Sequence, residues 1–130
     1  MKYFICSLDT INIGIPTEQT QRIIPVTRIQ TALYDSETED KKLFISLPVL
    51  LGQKDPAAPH GVVLKNSAAD RDTTILLTPR IDKDLEIPEE NIRRLPGALA
   101  GWLKYFRGGY FNGQNLILIL DPEKIMEKIR

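Results

Sequence analysis

Five consecutive apolar residues, Leu116 to Leu120, stand between Asn112-Gly113 on one side and Asp121-Pro122-Glu123 on the other. A short aliphatic run bounded by turn signals on both sides reads as a strand buried on both faces. Asn112-Gly113 supplies residues that tolerate positive φ, so the segments Lys104 to Phe111 and Asn115 to Leu120 should form a hairpin. Asp121 then offers an N-cap acceptor, Pro122 a first helical position and Glu123 an acid in the first turn, a full set of helix-start signals. A short helix should follow, its apolar residues Ile125, Met126 and Ile129 on one face and packed back on the body.

The rest of the chain has the same grammar. Phe4, Cys6 and Leu8 alternate with Tyr3, Ile5 and Ser7 in a first strand. After a break at Asp9-Thr10, Ile11, Ile13 and Ile15 alternate with Asn12 and Gly14 in a second strand that should pair with the first. Pro16 ends that strand, and Thr17 to Ile24 has the spacing of a short helical turn stopped by Pro25. Val26 to Ala32 reads as extended, Asp35 to Lys42 as a solvated polar loop, Leu43 to Ser46 as a strand and Leu47 to Gly52 as an apolar turn with a capping glycine.

Gln53 to Pro59 contains Pro56 and Pro59 without periodicity, which suggests a division between two halves near residue 55. Gly61 to Leu64 and Thr73 to Thr78 should form a hairpin around Asn66 to Asp72. Ile81, Leu85 and Ile87 are interleaved with charges, as in a strand with one wet face, and Pro88 to Asn91 reads as a single helical turn. Gly108-Gly109 reads as a strand bend or bulge, and Trp102 as core. Eight to ten short strands, with nine prolines and eight glycines among the connections, indicate an all-β protein with short helices, built as a barrel or pair of barrels. A parallel α/β sheet is not expected, because no strand precedes a helix long enough for a crossover.

The chemistry that such a chain can carry is limited by its inventory. Seventeen basic residues balance seventeen acidic ones, which gives no general attraction to nucleic acid or anionic membrane. No apolar stretch approaches the ~20 residues of a membrane span, and no secretory leader is apparent, so a cytoplasmic protein is expected. Cys6 lies in a strand-like run and reads as a small buried hydrophobe. His60 is the only histidine and has no cysteine or serine motif beside it, so no catalytic residue, metal ligand or cofactor site is expected. The acids of Asp35 to Lys42 lack the glycine and terminal glutamate of a calcium loop.

Taken in order, these motifs resemble the CheW-like domains of chemotaxis. The resemblance rests on Phe4-Ile-Cys-Ser-Leu-Asp, Ile13-Gly-Ile-Pro, Ile23-Ile24, Phe44-Ile-Ser-Leu and Leu50-Leu51-Gly52, then on Ile75-Leu-Leu, Glu86-Ile, Leu95-Pro96, Asn112-Gly113 and Leu116 to Asp121 with Ile125. It spans Tyr3 to Ile129. It departs from the family at Asp35 to Lys42, which replaces an Asn-Leu-Arg-Gly segment, at Ser46, where an aspartate is common, and at Thr78-Pro79, where Val-Asp is customary.

The resemblance implies two intertwined five-stranded SH3-like barrels in a single domain of residues 1–130. It also implies a non-enzymatic adaptor whose partners are the regulatory domain of a CheA-type histidine kinase and the cytoplasmic tip of a chemoreceptor. The receptor helix would lie in an apolar groove, a mode in which a few aliphatic anchors carry the affinity. The expected contact residues are Gly14, Ile15, Pro16, Ile23, Ile24, Leu47, Leu50, Gly52 and Gly113. The alternatives are a barrel that has changed partners or self-associates, and a small-ligand-binding barrel or enzyme, which would show a pocket with convergent polar groups.

Overall fold

The hairpin at the end of the chain forms as its sequence demands. β8 (Phe106–Asn112) and β9 (Asn115–Leu120) pair antiparallel up to Asn112 opposite Asn115, and Gly113 opens the turn at φ 69°. Ile117 to Leu120 are buried on both faces because β9 is an interior strand. The structure, a computed structural model, describes residues 1–8, 11–25, 42–51, 60–65, 73–95 and 104–129. The expectations for 9–10, 26–41, 52–59, 66–72 and 96–103, including Gly52 and Trp102, lie outside these residues.

Nine strands occur among the described residues, with short helical pieces between them, and the all-β assignment holds. β1 (Lys2–Leu8), β2 (Ile11–Pro16) and β7 (Ile81–Glu86) join the hairpin in one five-stranded sheet of order β7-β1-β2-β9-β8. β3 (Thr20–Pro25), β4 (Lys42–Ser46), β5 (His60–Leu64) and β6 (Thr73–Thr78) make a second sheet of order β3-β5-β6-β4. Two helices complete the set, α1 (Leu47–Leu50) and α2 (Pro122–Ile129), with 3₁₀ turns at Thr17–Gln19 and Glu89–Asn91.

Three features differ from the sequence reading. Thr17 starts a 3₁₀ turn but the chain leaves it at Thr20, and Ile23 and Ile24 lie on β3, where the β-branched residues gain a ladder with β5. Two pairs are parallel, β2 with β9 and β4 with β6, although among the described residues no helix longer than the four residues of α1 lies between the members of either pair. Each pair joins strands far apart in sequence, with other strands made in between. The chain also divides twice rather than once near residue 55: Met1–Gln19 and Ile81–Arg130 form one compact unit, and Thr20–Arg80 forms the other.

In the first unit Tyr3, Ile87, Ile117 and Ile119 form a core cluster, with Ile5, Leu85, Ile92 and Tyr110 against it. Gly14 packs closely here: a Cβ would sit 3.2 Å from Ile119 Cδ1 and 3.3 Å from Ile117 Cγ2, so those side chains would have to yield by a few tenths of an ångström. A bulge between Phe106 and Gly108 matches the expectation for Gly108-Gly109. Gly109 also exchanges two backbone hydrogen bonds of 2.8 Å with Arg93, which covers part of the outer edge of β8. In the second unit Val63, Ile75 and Leu77 form a core cluster, with Ile24 and Phe44 beside them. Cys6 is fully buried, as its strand position suggested.

Candidate protein-binding surfaces

The second sheet carries an aliphatic row that reaches solvent. Cross-strand pairing sets Ile23 opposite Val62, Val62 opposite Leu76 and Leu76 opposite Ile45, so one row crosses all four strands. Val62 and Leu76 are 0% exposed, whereas Ile23 is 39% exposed at the β3 end of the row. β3 is an edge strand, paired to β5 alone among the described residues, and Gln21 and Arg22 beside Ile23 are exposed as well. Pro25 closes the strand and removes a donor from its edge, a common way of limiting unwanted strand addition. Ile24 points to the opposite face and is half-buried against the core.

At the other side of the same sheet, α1 follows β4 and packs on β4 and β6. Ser46 caps it: the Val49 amide donates to Ser46 Oγ at 3.4 Å, and Pro48 occupies the first turn. Serine and aspartate both serve as N-caps, so an aspartate at position 46 would fill the same role. Leu47 and Pro48 are buried, Leu50 is half-buried and Val49 is 51% exposed. Val49 was not singled out from the sequence. Its signal was available, because a helix capped at Ser46 with Leu47 turned inward must turn the residue two positions on elsewhere.

The residues expected at the interface therefore divide. Ile23 and Gly113 are exposed, and Ile24 and Leu50 are half-buried. Gly14, Ile15, Pro16 and Leu47 are buried, with Ile15 and Leu47 at 0% exposure. The Gly14-Ile15-Pro16 segment is the C-terminal half of β2, paired throughout with β1 and at Gly14 also with β9. Phe111, 61% exposed near the tip of the β8–β9 hairpin, is an apolar surface residue that the sequence reading passed over.

The first unit also contains a polar cluster. The Tyr3 hydroxyl donates to Glu89 at 2.9 Å, and Arg107 donates to the other Glu89 oxygen at 2.5 Å. Burial, and then the adjacent Glu89 carboxylate, push the Tyr3 phenol up to about 12. The Arg107 hydrogen bond holds the Glu89 carboxyl below its ordinary value. Among the described residues no group of three or more His, Cys, Asp or Glu side chains is placed to hold a metal ion, and no helix is long and apolar enough to cross a membrane.

Strand content, the order of both sheets and the pairing give an all-β fold of two sheets. No family model matches the sequence, and no curated protein matches it. Among solved structures, the chain is similar to the scaffolding protein TtCheW of Thermoanaerobacter tengcongensis, with a TM-score of 0.69 over 92% of this chain and 83% of that one, at 14% identity. The likeness is one of fold and covers both units.

Proposed function

We propose that this chain is a non-enzymatic adaptor of chemosensory signalling. It joins the regulatory domain of a CheA-type histidine kinase to the cytoplasmic tip of a chemoreceptor, and it works in the cytoplasm at receptor arrays that its partners hold at the membrane. The observation that carries this reading is the fold itself, similar across 92% of the chain to a protein described as a scaffold. The exposed end of the aliphatic row at Ile23 supports it, because a solvent-facing aliphatic continuous with a core is a suitable anchor for a partner. Of the other expected contact residues, Ile24 and Leu50 in the second unit are half-buried and Gly113 in the first is exposed, while Gly14, Ile15, Pro16 and Leu47 are buried and would act through the fold of their own units.

The test is a titration of the full chain against a chemosensory kinase regulatory domain, then against a receptor-tip fragment. Saturable binding to either, weakened by Ile23→Asp, is the expected result. Absence of binding to both at high micromolar concentration overturns the adaptor reading. Concentration-dependent self-association in the same samples, weakened by Phe111→Asp, would favour the self-associating alternative, for which the exposed Phe111 is the specific observation.

A further inference from the structure

The face of the first sheet that carries Tyr3, Ile5, Ile117 and Ile119 departs from its apolar pattern at one end. There Ser7 is opposite Asn12, Asn12 is opposite Ile117, and Asn112 is opposite Asn115, while Asp82 on β7 accepts the Ser7 hydroxyl. Each of the five strands thus contributes a polar side chain at the same end. A core face that keeps its period of two yet switches from aliphatic to polar breaks binary patterning, and such breaks concentrate at functional sites. Asn112 and Asn115 both lie within strands, paired across the hairpin, and Gly113 in the turn between them takes the positive φ.

The switch encloses a space. An open pocket of about 420 Å³ is lined by Ile5, Leu85 and Ile117 together with Asn12, Asp82, Asn112 and Asn115. Its volume lies within the ~300–1,000 Å³ typical of small-molecule sites, and an aliphatic floor under a few convergent polar groups is the usual composition of such sites. Three carboxamides each offer donors and an acceptor, which suits amide, lactam or heterocyclic edges. The only formal charge among the lining residues is the Asp82 carboxylate, already engaged by Ser7. No lining residue is cationic, so an anion gains no charged partner in the pocket, whereas a neutral hydrogen-bonding group meets complementary amides.

We propose that the polar end of this sheet face is a binding site for a small, uncharged organic molecule with a planar amide-like edge and an apolar body. The edge pairs with Asn12, Asn112 and Asn115, and the body rests on Ile5, Leu85 and Ile117. The site lies wholly in the first unit and is independent of the adaptor reading.

The test uses the full chain, isotope-labelled, with benzamide, benzoate and benzylamine as probes of equal ring size and different charge. Benzamide is expected to shift the backbone amide resonances of Asn12, Asn115 and Ile117 saturably in the millimolar range, with benzoate at least fivefold weaker. Asn12→Ala should weaken benzamide at least fivefold, and Asn115→Ala should act in the same direction from an exposed position that does not endanger the fold. Lys65→Ala, in the other unit, should leave binding unchanged. Absence of saturable shifts at the lining residues, benzoate or benzylamine binding more tightly than benzamide, or indifference to both asparagine substitutions overturns the proposal. Because no kinase or receptor fragment is present, failure here is separate from failure of the adaptor titration.

Discussion

Tyr3 donates its hydroxyl to Glu89 at 2.9 Å although 86 positions separate them. The bond ties the start of β1 to the 3₁₀ turn after β7, and Arg107 brings β8 to the same carboxylate. The Arg107–Glu89 pair is well exposed and contributes little alone. The Tyr3 side chain is the costly member, a large aromatic at 0% exposure whose single polar atom is satisfied by Glu89.

Alkaline pH should weaken the fold through this phenol. Its folded pKa is raised above the unfolded value near 10, so its stabilisation is complete below pH 10 and is lost as pH climbs through about 12. The loss should be about 2–3 kcal/mol at full ionisation. Denaturant melts between pH 9 and 12 check it. Tyr3→Phe should lower neutral stability by roughly 1 kcal/mol and flatten the alkaline decline.

Ile15 and Ile23 should respond oppositely to the same substitution. Ile15→Asp places an unpaired carboxylate at a 0% exposed site, at a cost on the order of the whole stability of a domain, and should leave the chain unfolded by circular dichroism. Ile23→Asp, at a 39% exposed edge, should keep the fold within about 1 kcal/mol and reduce affinity for a kinase or receptor fragment by about tenfold.

Gly108 and Gly113 are needed for different reasons. A Cβ on Gly108 would lie 2.4 Å from the Arg93 carbonyl oxygen, so Gly108→Ala should displace the Arg93 bridge and cost about 2–3 kcal/mol. Around Gly113 a Cβ meets nothing within 4 Å, and the cost of Gly113→Ala should be only the left-handed penalty, about 1 kcal/mol. Gly113→Asn should cost less still, and urea melts of the three variants rank them.

Ser46→Ala should destabilise by about 1 kcal/mol by removing the cap of α1, whereas Ser46→Asp should be close to neutral. Thermal melts at neutral pH distinguish the two.

Local signals carried the end of the chain well, because a positive-φ glycine, a buried aliphatic run and an Asp-Pro-Glu start each act over a few residues. The fate of Ile23 and Ile24 could not be read that way. Thr17 to Gln19 does begin a helical turn, and only the ladder with β5, made much later in the chain, draws the following residues into a strand. Parallel pairing was hidden for the same reason: nothing near Ile13 announces Leu118. Of the expected interface, Ile23 was legible as an aliphatic but not as an exposed one, since exposure depends on β3 being an edge. The pocket was illegible altogether, for Asn12, Asp82 and Asn115 become neighbours only through register.

The interposition of Thr20–Arg80 between the two parts of the first unit sets a timetable for synthesis. A ribosome delivers β1 and β2, then every strand of the second sheet, and only afterwards the strand that flanks Ile13 on its far side. Until β7 emerges the early hairpin is a two-stranded piece of marginal stability, and until β9 emerges β2 remains an open edge. The second unit has all its described strands by Thr78 and can close while the first still waits. Premature termination between Arg80 and Leu116 would therefore yield a chain with one finished half and one incomplete sheet, a substrate for chaperones and proteases rather than a smaller working protein.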